Sequence, residues 1–350
     1  MAGSKPFAAP APLAPACRGR SRRRLLFRQL LLPLLALLPL VGCVAAPPAA
    51  PPVGAPGQRP LKVIASVLPV TLFTRTVAAG CARVDSLVPA NVGPHDWQAS
   101  PADLARLSQA DVLVINGLGL ESHLDKLVAA SGNRRLRQID SSRGVVPIAN
   151  SAPAAVHADH AVHADHADQH GPGQHGPLNP HIWLDPRRAA QQVATIRDGL
   201  IAADPDCRSR YRANAAALLA ELDRLDRDLE RQFAPLAGRS LLVFHAIAPY
   251  FAQRYRLRSE ALVDDPEQSP SAADLQRFSQ RARQSGVRAL ISEPQAASNR
   301  AFVALAGDLG LPLASFDPIE IAPADPDLSA SFYLGSMRRN GQRLLQALGR

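Results

Sequence analysis

The sequence predicts an α/β protein of two lobes, each a mostly parallel sheet flanked by helices, joined by one long helix. Three observations predict it. Strand-like runs alternate with helical patterns from Leu61, the alternation restarts at Ser240, and between them lies an unbroken amphipathic pattern of about 25 residues. Such alternation builds parallel sheets, because a parallel crossover needs a connection long enough to hold a helix. A chain of 350 residues, 47% of them hydrophobic, is long and apolar enough to fill two cores.

In the first lobe "KVIASV" reads as a buried strand, followed by a helix over Thr71 to Ala79 and a second strand at "VDSLVP". "SPADLARLSQA" opens a helix with Ser100 as N-cap, Pro101 at the first helical position and Asp103 in the first turn. A strand at "DVLVING", a helix at "SHLDKLVAAS" and a strand near "LRQIDSS" follow. After a His-rich, low-complexity loop comes a helix from about Arg187 to Ala203, a break at "DPD", and the long helix from about Ser209 to Phe233. Its Leu218, Leu222, Leu225 and Leu229 recur at spacings of four and three, which places them on one face. At 1.5 Å per residue it spans roughly 37 Å, enough to reach from one lobe to another. In the second lobe strands are predicted at "SLLVFH", "VRALISEP" and "LPLASFD". Helices are predicted at "APYFAQRY", "SAADLQRFSQRARQSG", "SNRAFVALAGDLG" and, closing the chain, "FYLGSMRRNGQRLLQAL".

The formal net charge of +9 would suggest a nucleic-acid partner, but seven basic residues and no acid fall within residues 1–42. Setting those seven aside leaves 32 basic against 30 acidic residues, which gives no electrostatic case for nucleic acid. The basic head runs into "LLLPLLALLPLVGC", too short and Pro-interrupted to span a bilayer and patterned like an export signal. "LVGC" resembles the bacterial lipobox, which implies lipidation of Cys43 and a membrane tether through the Pro/Ala-rich stretch after it. The expected organisation is a signal at 1–42, a tether at 43–60, an N-terminal lobe at 61–208, a connecting helix at 209–235 and a C-terminal lobe at 236–350. With Cys17 in the signal and Cys43 lipidated, only Cys81 and Cys207 could pair. Nothing local brings them together, and they are expected to stay unpaired.

Seven of the ten histidines lie in "VHADHAVHADHADQHGPGQHGPLNPHIWLD". His157, His160, His163, His166, His170 and His175 sit among Ala, Asp, Gln, Gly and Pro, residues that cannot build a core. His181 has Ile182, Trp183 and Leu184 beside it to fix its ring. His95 in "VGPHDWQASP" and His245 in "LLVFH" follow strands in opposite lobes, and the carboxyl ends of strands are where open α/β sheets bind ligands. His123 reads as a solvated surface residue of a short helix.

The stretches "VGPHDWQASPADLARLSQADVLVINGLGLESHLDKL", "NPHIWLDP", "VFHAIAPYFAQRYRL" and "SFDPIE", in this order, resemble the metal-receptor subunits of bacterial ABC importers, the zinc and manganese solute-binding lipoproteins. The resemblance covers roughly Leu61 to Leu348. It implies a metal held in the cleft between two lobes on a rigid helix, with His95 and His181 from the first lobe and His245 and Asp317 from the second. Asp317 has a competing role, capping the strand end before Pro318, which leaves water as the alternative fourth ligand. Manganese-type members tend to carry Glu where His245 stands, and imidazole suits zinc better than manganese, so Zn2+ is the expected transported ligand. Glu293, in "ISEP", is expected behind the ligands and not among them. The six loop histidines are expected to act as accessory, low-affinity zinc sites, since ordering a loose segment costs about 1–2 kcal/mol per fixed residue.

The resemblance therefore implies a monomeric, non-enzymatic receptor outside the cytoplasmic membrane that hands Zn2+ to an ABC permease served by a separate ATPase. Three other readings stand beside it: a manganese or iron receptor of the same family, a zinc enzyme, and a zinc buffer or adhesin. Against the enzyme, no HExxH is present and no motif sets a general base beside a ligand.

Overall fold

The computed structural model describes residues 59–121, 124–150, 177–263, 270–294, 299–323, 325 and 328–349. The first lobe runs β1 (Leu61–Ala65), α1 (Leu68–Ala78), β2 (Ala82–Ser86), α2 (Pro101–Ser108), β3 (Val112–Ile115), α3 (Leu124–Ala130) and β4 (Arg137–Asp140). Helices α4 (Pro186–Ala203) and α5 (Arg208–Phe233) follow. The second lobe runs β5 (Ser240–His245), α6 (Pro249–Arg254), β6 (Arg258–Val263), α7 (Ala272–Ser285), β7 (Leu290–Ser292), α8 (Arg300–Asp308) and β8 (Leu313–Ser315), and α9 (Ala330–Leu348) closes the fold. Both sheets are wholly parallel, with the orders β2-β1-β3-β4 and β6-β5-β7-β8. The lobes thus repeat one topology, and each reverses winding direction beside its first strand, where a crevice opens.

Side chains alternate faces along a strand, and here the alternation divides the apolar residues between two layers. Val63 and Ala65 of β1 and Leu241 and Val243 of β5 join one continuous core with Leu222 and Leu225 of α5. Ile64 belongs to a separate cluster on the outer face of the first sheet, and Leu242 and Phe244 to one on the outer face of the second. The lobes are therefore fused through their inner faces around α5. Helix α5 buries Tyr211, Ala215, Leu218, Leu222, Leu225, Leu229 and Phe233, the predicted stripe extended at both ends. Helix α9 lies so close to it that a Cβ on Gly341 would come within 2.5 Å of Leu229 Cδ2.

Two expectations change. Strand β6 was not predicted: "RSEALV" alternates charged and small residues without a hydrophobic run, as suits an edge strand. The expectation that Cys81 and Cys207 stay unpaired is overturned, because they form a disulfide with Cα atoms 6.1 Å apart across 126 residues. Cys81 follows α1, Cys207 precedes α5, and it is the packing of those two helices that brings the sulfurs together. Reduction, or Cys81→Ser, is expected to lower the unfolding free energy by about 2–4 kcal/mol. Chemical denaturation with and without reductant reads this directly; coincident transitions would show the bridge to be dispensable.

Candidate metal centre

Each predicted imidazole reaches the interlobe crevice by a different local device. His95 sits in the connection between β2 and α2, where the Asp96 N–H bonds the Gly93 carbonyl at 3.2 Å and Ser100 and Asp103 form a reciprocal capping box at the start of α2. His181 precedes a single 3-10 turn, Ile182–Leu184, whose three side chains are fully buried. It follows a segment pinned by an antiparallel bridge between Ala149 and Leu178. His245 ends β5, and like His181 it is fully buried.

One ring nitrogen from each of the three lies within 4.8 Å of the others, the one such grouping among the described residues. The ring centroids of His181 and His245 are 5.1 Å apart, and those of His95 and His245 are 5.8 Å apart. Outer contacts decide which nitrogen faces inward. The Asn179 amide donates to the Ala246 carbonyl at 2.6 Å and accepts the His181 backbone N–H at 3.1 Å. Both partners are one-way, so Oδ1 is the atom 3.1 Å from His181 Nδ1, and Nδ1 must carry the proton. His245 Nδ1 lies 3.1 Å from Glu293 Oε1, an acceptor that fixes the same tautomer. In both rings the lone pair left for the crevice is therefore on Nε2.

The two carboxyls near the cluster are held differently. Asp317 does not join the group: its Oδ1 accepts the Ile319 N–H at 2.8 Å, and its backbone is clamped in both directions by Asn340. That cap steadies an unusual turn, since Ile319 is fully buried at φ 63°, a conformation β-branched residues rarely adopt. The turn presents Glu320 instead, with Oε1 3.2 Å from His181 Nε2 and 4.0 Å from His95 Nε2. This oxygen is buried and accepts no hydrogen bond. Burial pushes the Glu320 carboxyl up to about 7, with the nearby imidazoles pulling the other way and Glu293 adding to the rise. Burial, then the neighbouring His245 and His95, holds the His181 imidazole well below its ordinary value. The cluster therefore offers three converging imidazole nitrogens with a buried carboxyl beside two of them, a donor set that suits a borderline-soft divalent cation.

Residues 63–347 match the family described as zinc-uptake complex component A periplasmic, ZnuA. The chain belongs to that family. It is 27% identical over 289 residues to the high-affinity zinc uptake system protein ZnuA of Bacillus subtilis, covering 82% of this chain and 88% of that protein. It is also 27% identical over 287 residues to the zinc-binding lipoprotein AdcA of Streptococcus pneumoniae, of which it spans only 55%. Among solved structures, a zinc-bound ZnuA deletion mutant superposes with a TM-score of 0.64 at 30% identity, covering 83% of this chain and 98% of that one. Another ZnuA crystal structure gives a TM-score of 0.66 at 29% identity, covering 83% of this chain and 99% of that one. Glu320 and Asn179 are the site residues that sequence reasoning did not single out, although both lie inside motifs it quoted. His123, the six loop histidines and Cys43 lie outside the described residues.

Proposed function

We propose that this protein is the zinc receptor of an ABC importer, binding Zn2+ through His95, His181, His245 and Glu320 and handing it to a membrane permease. The observation that carries this reading is the convergence of three imidazoles from both lobes, with the buried Glu320 carboxyl beside two of them. Membership of the zinc-uptake family supports the receptor role, as do the zinc-bound relatives. Three nitrogen donors weigh against manganese, which favours oxygen-rich sites. No bond of the cargo is made or broken: the protein binds, shields and releases the ion, while a separate ATPase subunit supplies the energy. Export, the lipid anchor at Cys43, a monomeric state and the accessory role of the loop histidines belong to the same proposal.

Glu320 gives the reading a pH signature. Below about 7 its carboxyl is protonated in the metal-free site, and zinc must expel that proton; above about 7 no proton is displaced. Apparent zinc affinity is therefore expected to rise with pH up to about 7 and to depend on pH less steeply above it. His181, held neutral well below its usual range, adds nothing to the slope in that window. Glu320→Gln should lose at least tenfold in affinity together with this slope. Asp317→Asn, which keeps an acceptor for the Ile319 N–H, should stay within about threefold of the parent. Chelator competition between pH 6 and 8 separates the two, and an unaltered slope in Glu320→Gln would refute its assignment.

A further inference from the structure

The amide that sets the His181 tautomer also crosses between the lobes. Asn179 is 2% exposed and lies in the segment leading into the 3-10 turn. Its Oδ1 takes both the backbone N–H and Nδ1 of His181, and its Nδ2 donates to the carbonyl of Ala246, the residue after His245. One planar group thus touches the N-lobe imidazole and the C-lobe chain that carries the opposing imidazole. Its own carbonyl accepts from the hydroxyl of Tyr250 at 2.7 Å, and that hydroxyl accepts the Ile148 N–H at 3.0 Å. Tyr250 belongs to α6 of the second lobe, so the backbone of the same segment is tied across the crevice as well. By contrast Glu293, the partner of His245, lies in the same lobe as the ring it holds.

We propose that Asn179 is a positioning residue that couples the orientation of His181 to closure of the two lobes. The inference rests on the zinc-receptor reading and extends it to release. While the lobes are together the amide is held at both ends and cannot rotate, so His181 Nε2 stays aimed at the metal. When the lobes part, the bond to Ala246 breaks, the amide gains freedom to turn, and the ligand loses its fixed tautomer and direction. Closure and capture then reinforce each other through one side chain, as linkage requires of any group that both equilibria share.

The two ends of the amide can be separated chemically. Asn179→Asp keeps an acceptor for His181 but offers no donor to the Ala246 carbonyl and sets a carboxylate oxygen against it. Asn179→Ala removes all three bonds. In the full chain, zinc release should be about 10–100-fold faster in Asn179→Asp than in the parent, because the group that orients a metal ligand has lost its hold on the second lobe. The d–d spectrum of bound Co2+, which reports ligand geometry, should be retained in Asn179→Asp and altered in Asn179→Ala. Stopped-flow transfer of zinc to a chromophoric chelator gives the rate, and the cobalt spectrum is a readout that general loosening of the fold would not divide in this way. Parental release from Asn179→Asp would overturn the coupling even if Asn179→Ala failed to fold. Absence of a tight site in the unmodified chain would instead overturn the receptor reading itself.

Discussion

His181→Ala is expected to weaken zinc binding by more than about a hundredfold. Loss of an outer hydrogen-bond partner of a ligating imidazole costs about 10–100-fold, and this substitution removes the imidazole itself. His181 is fully buried, its Nε2 is 3.2 Å from Glu320 Oε1, and its ring packs edge-on against Trp183 with centroids 5.3 Å apart. The metal-free protein should nevertheless unfold cooperatively, because the same ring is held neutral there among other imidazoles and contributes no ion pair. The measurement is a zinc titration against a chromophoric chelator in a chain lacking residues 156–176, so that the six loop imidazoles cannot compensate. A variant binding as tightly as its parent would place the tight site elsewhere and remove the convergence of the three histidines as the basis of function.

The three imidazoles were legible in the sequence because each stands in a local context that fixes it: the end of a strand for His245, the entry to a capped helix for His95, and a short apolar run for His181. The carboxyl proposed as the fourth donor was not legible. Whether Asp317 or Glu320 faces the cluster turns on one dihedral, the positive φ of Ile319, and a buried isoleucine is the last residue at which sequence rules would place a left-handed turn. In the sequence Asp317 reads both as a ligand and as a cap at the strand end. Its carboxylate does cap, but on the N–H of the turn that delivers Glu320. The disulfide was hidden for a related reason: Cys81 and Cys207 meet only through the packing of α1 on α5, which no local pattern encodes. The parallel alternation and the stripe of α5 were readable because they are periodic. What lay outside the reading was decided by single tertiary contacts.

Asp226 is the clearest of these, a carboxylate buried beside the apolar stripe of α5. It accepts from Arg254 Nε at 2.7 Å and Nη2 at 2.6 Å, from Arg187 Nε at 2.8 Å and from the Tyr255 hydroxyl at 3.3 Å. Arg187 comes from α4 and Arg254 from α6, so this one group ties the helix after the His181 motif to the helix after His245. Asp226→Ala is expected to lower the unfolding free energy by about 3–5 kcal/mol, since it leaves a largely buried guanidinium with only part of its compensation. Arg254 would retain Glu230, at 2.9 Å and 3.0 Å, which sets the loss toward the lower end of that range. Urea denaturation reads the difference, and a change under about 1 kcal/mol would mean that water and Glu230 replace the lost partner. Replacing both charges, Asp226→Leu with Arg254→Met, should restore most of the stability, because well-packed apolar side chains commonly match a buried ion pair. Zinc affinity should recover less than stability in that double variant. Leucine against methionine has no preferred direction, whereas the paired Asp226–Arg254 bonds fix the angle at which α6, and with it the end of β5, meets the central helix.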